Sequence, residues 1–252
     1  MRPLHEHYRA TRTVFSLDLP GYGFSDRVDR SYGPRLMTNA VHDMVERIRQ
    51  LCGPLPVDAL ALSLSSEFLA RAASESPGLY RSVSLVSPTG FSGTRPWRGA
   101  PGTTRGSPRV YRALRGPAAL WGDPLFRALT RPAVIRYFLR RTWGARDIDE
   151  ALWQYDVITT RQPGAEFAPL CFLAQWMFSA DIHTVYESLK VPVWMSHGVR
   201  GDFTDYRGKA LVEQRPNWRF SVFPTGAMPY FEVPDRFTSV FDGFLADPGA
   251  AF

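Results

Sequence analysis

The residues best suited to chemistry lie in the stretch 57–73, Val-Asp-Ala-Leu-Ala-Leu-Ser-Leu-Ser-Ser-Glu-Phe-Leu-Ala-Arg-Ala-Ala. An apolar run passes into small-x-Ser-x-small and then directly into a helical pattern. A strand that reverses into a helix within a few residues crowds its own backbone. Small residues two before and two after the serine, here Ala61 and Ser65, relieve that crowding. Ser63 would then stand at the carboxyl edge of a sheet, above a helix N-terminus whose amides can stabilise a developing oxyanion. A hydroxyl so placed becomes a nucleophile when a base lies within hydrogen-bond reach. Taken alone, the segment reads equally as a serine-rich helix start with Ser63 as its N-cap.

The elements that must position this serine are legible around it. Residues 13–18 form a β-branched and aromatic run that stops at Pro20-Gly-Tyr-Gly23, a strand followed by a turn. Met37, Ala40, Val41, Met44, Val45, Ile48 and Leu51 fall on one helical face, and Gly53-Pro54 ends it. Strands are predicted over 57–62, 82–87, 191–197 and 218–223, and helices over 66–73, 206–215 and 234–246. Strands alternating with helices imply parallel βαβ units, an α/β fold whose mostly parallel sheet is flanked by helices. Residues 92–108, with repeated Gly, Pro, Ser and Thr, break the rhythm as a loop. Helical segments around 109–115, 124–141, 147–160 and 165–179 follow. The expected organisation is a core of residues 1–91 and 187–252 with an all-α lid, 92–186, inserted in it.

In this order the pieces resemble the α/β-hydrolase superfamily. Leu17-Asp-Leu-Pro-Gly-Tyr-Gly-Phe-Ser-Asp26 is similar to its D-x-P-G-x-G-x-S strand and turn. Ser84-Leu-Val-Ser-Pro-Thr-Gly90 is similar to the strand after the nucleophile. Val191-Pro-Val-Trp-Met-Ser-His-Gly198, with Asp202 beyond it, resembles the strand that precedes the catalytic acid. Gly226-Ala-Met-Pro-Tyr-Phe-Glu-Val-Pro234 resembles G-H-x-P-x-x-E-x-P. The resemblance covers roughly residues 13–246. It implies Ser63 as nucleophile, the Leu64 amide as an oxyanion donor and Asp202 as the acid that orients a histidine. Asp205 is a second candidate for that acid, and either aspartate also reads as a loop cap. Tyr230, near the end of the motif, is a candidate binding residue.

Two departures stand out. Ala227 occupies the position where the family's motif has its catalytic histidine, and a triad short of one member retains only ~10³–10⁴-fold catalysis over water. None of the five histidines is an obvious replacement. His5 and His7 are expected near the amino end of the 13–18 strand, His42 on the polar side of its helix, and His183 at the return of the lid. His197 is expected two strands away from Ser63, roughly 10 Å at ~4.8 Å per strand. Tyr230 has an ordinary pKa of ~10, a poor base at neutral pH. The second departure is at the front, where the family's strand ending in His-Gly has no counterpart. Either Met1 is an internal start of a longer protein, making residues 2–12 the end of a helix and its loop, or the remaining strands pair differently.

Composition bounds the rest. The 252 residues are 44% hydrophobic and 21% charged, ordinary globular usage. No stretch reaches the ~20 apolar residues of a membrane span, and the polar start shows no secretory signal. Cys52 and Cys171 suit neither a disulfide framework nor a metal site, and fit two thiols in a reducing, cytoplasmic setting. No cofactor or metal is implied. All but two of the 30 basic residues are arginine, and the net charge is +6. Twelve arginines between Arg95 and Arg146 accompany a single acid, Asp123. Such a field favours an anionic ligand, a lipid surface or a nucleic acid, and a solvated surface is the alternative. No nucleic-acid-binding motif accompanies it. The expected function is a serine hydrolase of esters or other small acyl substrates. The alternative is an inactive relative that binds a small acyl or aromatic ligand, or a protein partner. Lid-mediated attachment to an anionic membrane is a third.

Overall fold

The computed structural model describes residues 1–116 and 120–249. Residues 117–119 of the expected lid and 250–252 of the expected core therefore lie outside the described residues. Four strands, β1 (Val57–Leu62), β2 (Tyr80–Val86), β3 (Val193–Gly198) and β4 (Trp218–Phe223), form one parallel sheet in the order β1-β2-β3-β4. Parallel neighbours need crossovers, and the helices supplying them cover both faces. On one face Val83, Leu85, Val193 and Met195 pack with Leu69, Ala72 and Ala73 of α3 (Ser65–Glu75), Val45 of α2 (Pro34–Cys52), and Ile182 and Tyr186 of α9 (Ile182–Ser188). On the other, Val86, Trp194 and Phe223 meet Leu4 and Tyr8 of α1 (Arg2–Tyr8) and Phe237, Phe241 and Phe244 of α11 (Pro234–Ala246). The period of two along β2 and β3 decides which side chain enters which layer.

Between β2 and β3 the chain runs through α4 (Pro108–Arg115), α5 (Gly122–Leu129), α6 (Pro132–Trp143), α7 (Glu150–Thr159), α8 (Phe167–Leu173) and α9. The helix expected over 124–141 is two helices, because Pro132 cannot continue α5 and instead begins α6. The segment expected over 165–179 is helical only through Leu173, and Gln175 takes a positive φ of 57° soon after. The helix expected over 206–215 is a single 3₁₀ stretch, Arg207–Leu211. A short α10 (Pro229–Glu232) leads into α11. No helix among the described residues is long and apolar enough to cross a membrane.

The strand expected over 13–18 does not form. The segment is extended, but Phe15 and Leu17 stay exposed at 36% and 40%, and only Val14 packs beside Leu60 and Leu62. β1 hydrogen-bonds only to β2, and no ladder joins the 13–18 segment to its free edge. Arg12 reaches across to Asp58 instead. The turn after the segment is nevertheless built by its own residues. The Asp18 carboxylate accepts from the Phe24 amide at 2.9 Å and from the Tyr155 hydroxyl at 3.2 Å. A Cβ on Gly23, whose φ is +54°, would stand 2.0 Å from that carboxylate, so the position requires glycine.

Candidate active site

β1 ends at Leu62, and α3 begins at Ser65. Between them Ser63 has φ +54°, the left-handed region that L-residues other than Asn and Asp rarely occupy. Its amide donates to Val86 O at 2.9 Å, which ties the turn to the end of β2. Its carbonyl accepts from the Ser66 amide at 3.1 Å. Ser65, where the superfamily motif has glycine, is used by the turn itself. Its hydroxyl donates to Leu62 O at 2.6 Å and accepts from the Leu62 amide at 3.1 Å. Ser63 is exposed, and its hydroxyl has no hydrogen-bond partner among the described residues. Leu64 is the N-cap of α3, so its amide belongs to the orphan donors of the helix start. A hydroxyl at a strained turn beside such donors can attack an acyl carbon whose oxygen turns toward the helix.

The strand ends beside Ser63 carry further polar groups. Register aligns Leu62 with Val86 and Val86 with Ser196, so Ser63, Ser87 and His197 follow one another across the carboxyl edge. Ser87 is also left-handed, at φ +46°, and its hydroxyl donates to Ala227 O at 2.7 Å. Sequence reasoning missed this second strained serine, because no glycine, asparagine or aspartate marks its turn.

No histidine hydrogen-bonds to Ser63 among the described residues. Ala227 is 6% exposed, and its amide donates to Thr142 O at the end of α6. His5 Nδ1 meets Ser16 Oγ at 3.0 Å, so it lies beside the middle of the 13–18 segment and not at its amino end. Arg2, at the start of α1, is paired to Asp149, the N-cap of α7. His7 lies edge-on to Tyr8, and His42 pairs with Glu75 at 3.0 Å. His183 uses both nitrogens, accepting from the Trp97 amide and donating to Gly90 O. His197 is stacked on Tyr206 with centroids 4.0 Å apart, and burial lowers its pKa. Its Nδ1 lies 2.9 Å from Gly198 O, and its Nε2 is buried without a partner.

Asp202 is held by α6. Arg141 of α6 grips both carboxylate oxygens, at 2.5 and 2.9 Å, and Arg141 O accepts from the Asp202 amide at 3.1 Å. The backbones are in contact here. A Cβ on Gly144 would stand 2.3 Å from Gly201 N, and one on Gly226 2.4 Å from Trp143 O. The end of α6 is thus clamped onto both the loop that carries Asp202 and the loop that carries Ala227. Asp205 accepts from the Gly93 amide at 2.9 Å, and Arg207 foremost holds its carboxyl well below the usual range. Tyr230 is wholly buried against Phe231 and Phe237, and burial pushes its phenol further up. It borders a cavity of about 130 Å³ with Leu4, His7 and Thr238. Of the aromatics between β2 and β3, Phe126 is buried, while Trp121, Tyr155 and Phe172 are exposed.

One turn into α3, Glu67 is fully buried. It accepts from Thr89 Oγ1 at 2.6 Å, the Ser179 amide at 2.8 Å and Arg105 at 3.1 Å. Burial raises its pKa against those partners. One turn further, Arg71 makes a buried bidentate pair with Asp181. The helix behind Ser63 is therefore fastened to the segment before α4 and the segment between α8 and α9. The sequence signal was a Glu and an Arg four residues apart inside an otherwise apolar helix. No group of His, Cys, Asp and Glu suited to a metal occurs among the described residues.

No protein-family model matches the chain, and no curated protein sequence does. Solved structures do match. The meta-cleavage product hydrolase of Pseudomonas fluorescens IP01 has a TM-score of 0.70 at 15% identity, over 98% of this chain and 84% of that one. A thermophilic esterase from Thermogutta terrifontis has a TM-score of 0.70 at 15% identity, over 99% and 85%. An alpha/beta hydrolase from a Medee basin deep-sea metagenome gives 0.65 at 13%, over 93% and 80%. With the parallel sheet, the strand–Ser63–helix turn and these likenesses together, the chain has the α/β-hydrolase fold.

Proposed function

We propose that this protein is a serine-hydrolase scaffold that accepts a small acyl group, such as that of an ester, on Ser63, and that turnover through a Ser-His-Asp triad is disabled in it. One observation carries the reading. An exposed serine is kept at φ +54°, where glycine would cost less backbone strain. Retaining a side chain there makes sense if its hydroxyl is used. Without an imidazole, attack on the ester is slow, and so is hydrolysis of the acyl-serine, because both steps need a proton moved. With a good leaving group such as p-nitrophenolate, which departs as the serine proton passes to solvent, acylation is slowed less than attack by an unactivated water, so the acyl adduct is expected to accumulate. The esterase and hydrolase neighbours agree with this substrate class.

The test is incubation with p-nitrophenyl acetate and butyrate, followed by peptide mass spectrometry. The expected result is acylation of the peptide containing Ser63, absent in Ser63→Ala. Rate enhancement over water should not exceed the ~10³–10⁴ left when a triad member is lost. A second reading, non-covalent ligand binding alone, is favoured by the Arg141–Asp202 pair, which occupies the carboxylate a triad would need. A folded wild-type protein with no adduct on Ser63 after long incubation would establish that reading and end the first.

A further inference from the structure

We propose that the outer face of α4, together with Leu120 and Trp121, is a docking surface for an anionic lipid membrane. Along α4, Arg109, Arg112 and Ala113 recur at i, i+3 and i+4, and all three are exposed. The opposite face is committed to the protein. Tyr111 packs against the cluster around Leu64 and Phe68, and Arg115 pairs with Asp29 while lying 5.6 Å from the Phe167 ring. Arg109 and Arg112 form no ion pair among the described residues. From residue 95 to residue 122 the sequence contains no Asp or Glu to neutralise them.

The apolar part is fixed next to this stripe. Trp121 Nε1 donates to Ala113 O at 2.6 Å. The indole also lies against Gly116, where an added Cβ would stand 2.4 Å from it. Trp121 remains 51% exposed beside Leu120 at 74%, and Val110 is 47% exposed on the same helix. Unneutralised arginines bordering an exposed Trp-Leu pair match the demands of a membrane interface. The guanidinium groups meet anionic headgroups, and the apolar side chains enter the headgroup–acyl boundary. A nucleic acid or an acidic protein would use the arginines but would leave Leu120 without a role. Attachment would be peripheral and independent of chemistry at Ser63.

The experiment is co-sedimentation of the whole chain with phosphatidylcholine vesicles, with and without phosphatidylserine, at low and high salt. Binding is expected only with phosphatidylserine and should weaken as salt screens the charges. Each arginine near an anionic surface contributes about fivefold, so R109Q/R112Q should bind roughly 25-fold more weakly. Leu120→Ser should lose about tenfold while keeping the salt dependence. The charge-matched R47Q/R49Q, on α2, should bind as wild type does, and thermal melts check that every variant is folded. Failure to bind anionic vesicles overturns the proposal, as does equal binding to neutral ones. An equal loss in R47Q/R49Q removes α4 from it. Retention on heparin without vesicle binding reassigns the patch to a polyanionic macromolecule and also overturns it.

Discussion

Replacing Ser63 by glycine should make the protein more stable, and replacing it by alanine should not. The left-handed backbone at φ +54° costs an L-residue about 1–2 kcal/mol, which glycine does not incur. Glycine returns about 0.5–1 kcal/mol by adding freedom to the unfolded chain. The Ser63 hydroxyl has no hydrogen-bond partner among the described residues, so its removal loses no bond within the fold. The net gain for Ser63→Gly is about 0.5–1 kcal/mol, or roughly 1–4 °C in Tm for a chain of this size. Ser63→Ala keeps the strain and should melt within about 1 °C of wild type. Scanning calorimetry of the three proteins under one condition measures this, and both variants should lose the acyl adduct. A glycine variant no more stable than the alanine one would refute the strain argument, and with it the main support for Ser63 as a retained nucleophile. Ser87→Gly is the internal contrast. Its strain relief is offset by loss of the buried bond to Ala227 O, about 1 kcal/mol, so its net change should be near zero.

Ala227→His alone should not create an esterase. The site is packed under the end of α6, so the larger ring should cost about 1–3 kcal/mol, and Asp202 stays gripped by Arg141. A gain of the ~10²-fold or more that a general base supplies, measured with p-nitrophenyl acetate, would contradict the clamp. Arg71→Met should destabilise the fold by about 3–5 kcal/mol, because it strands the buried Asp181 carboxylate. Urea titration should show most of that loss recovered in R71M/D181L. Glu75 is held at about 2, from an ordinary 4.5, chiefly by hydrogen bonds from Arg35. Between those values the unfolded chain binds a proton that the folded chain does not, so the stabilisation is complete above about pH 5 and lost as pH falls toward 2. Melting curves across that range should flatten in Glu75→Gln, and an unchanged pH slope would remove Glu75 from the account.

The sequence alone determined what depends on near neighbours. The periodicities over 57–62 and 218–223 and the terminal helix were legible because alternation and helical spacing are local properties. The Ser63 turn was legible because its crowding is relieved within two residues on either side. The sequence also established that no histidine follows Gly226. Only the tertiary structure decided the rest. Residues 13–18 have the composition of a strand, but a strand also needs a hydrogen-bonding neighbour, and in the fold no strand of the sheet pairs with them. The sequence offered Asp202 as a free acid. Folding brings Arg141, 61 residues earlier, onto both of its oxygens. Glu67 and Arg71 meet Arg105 and Asp181 only because the fold closes distant segments over them. Backbone conformation is set by residues adjacent in sequence. Which charges meet, and whether an extended segment finds a sheet, depends on groups that only the folded chain brings together.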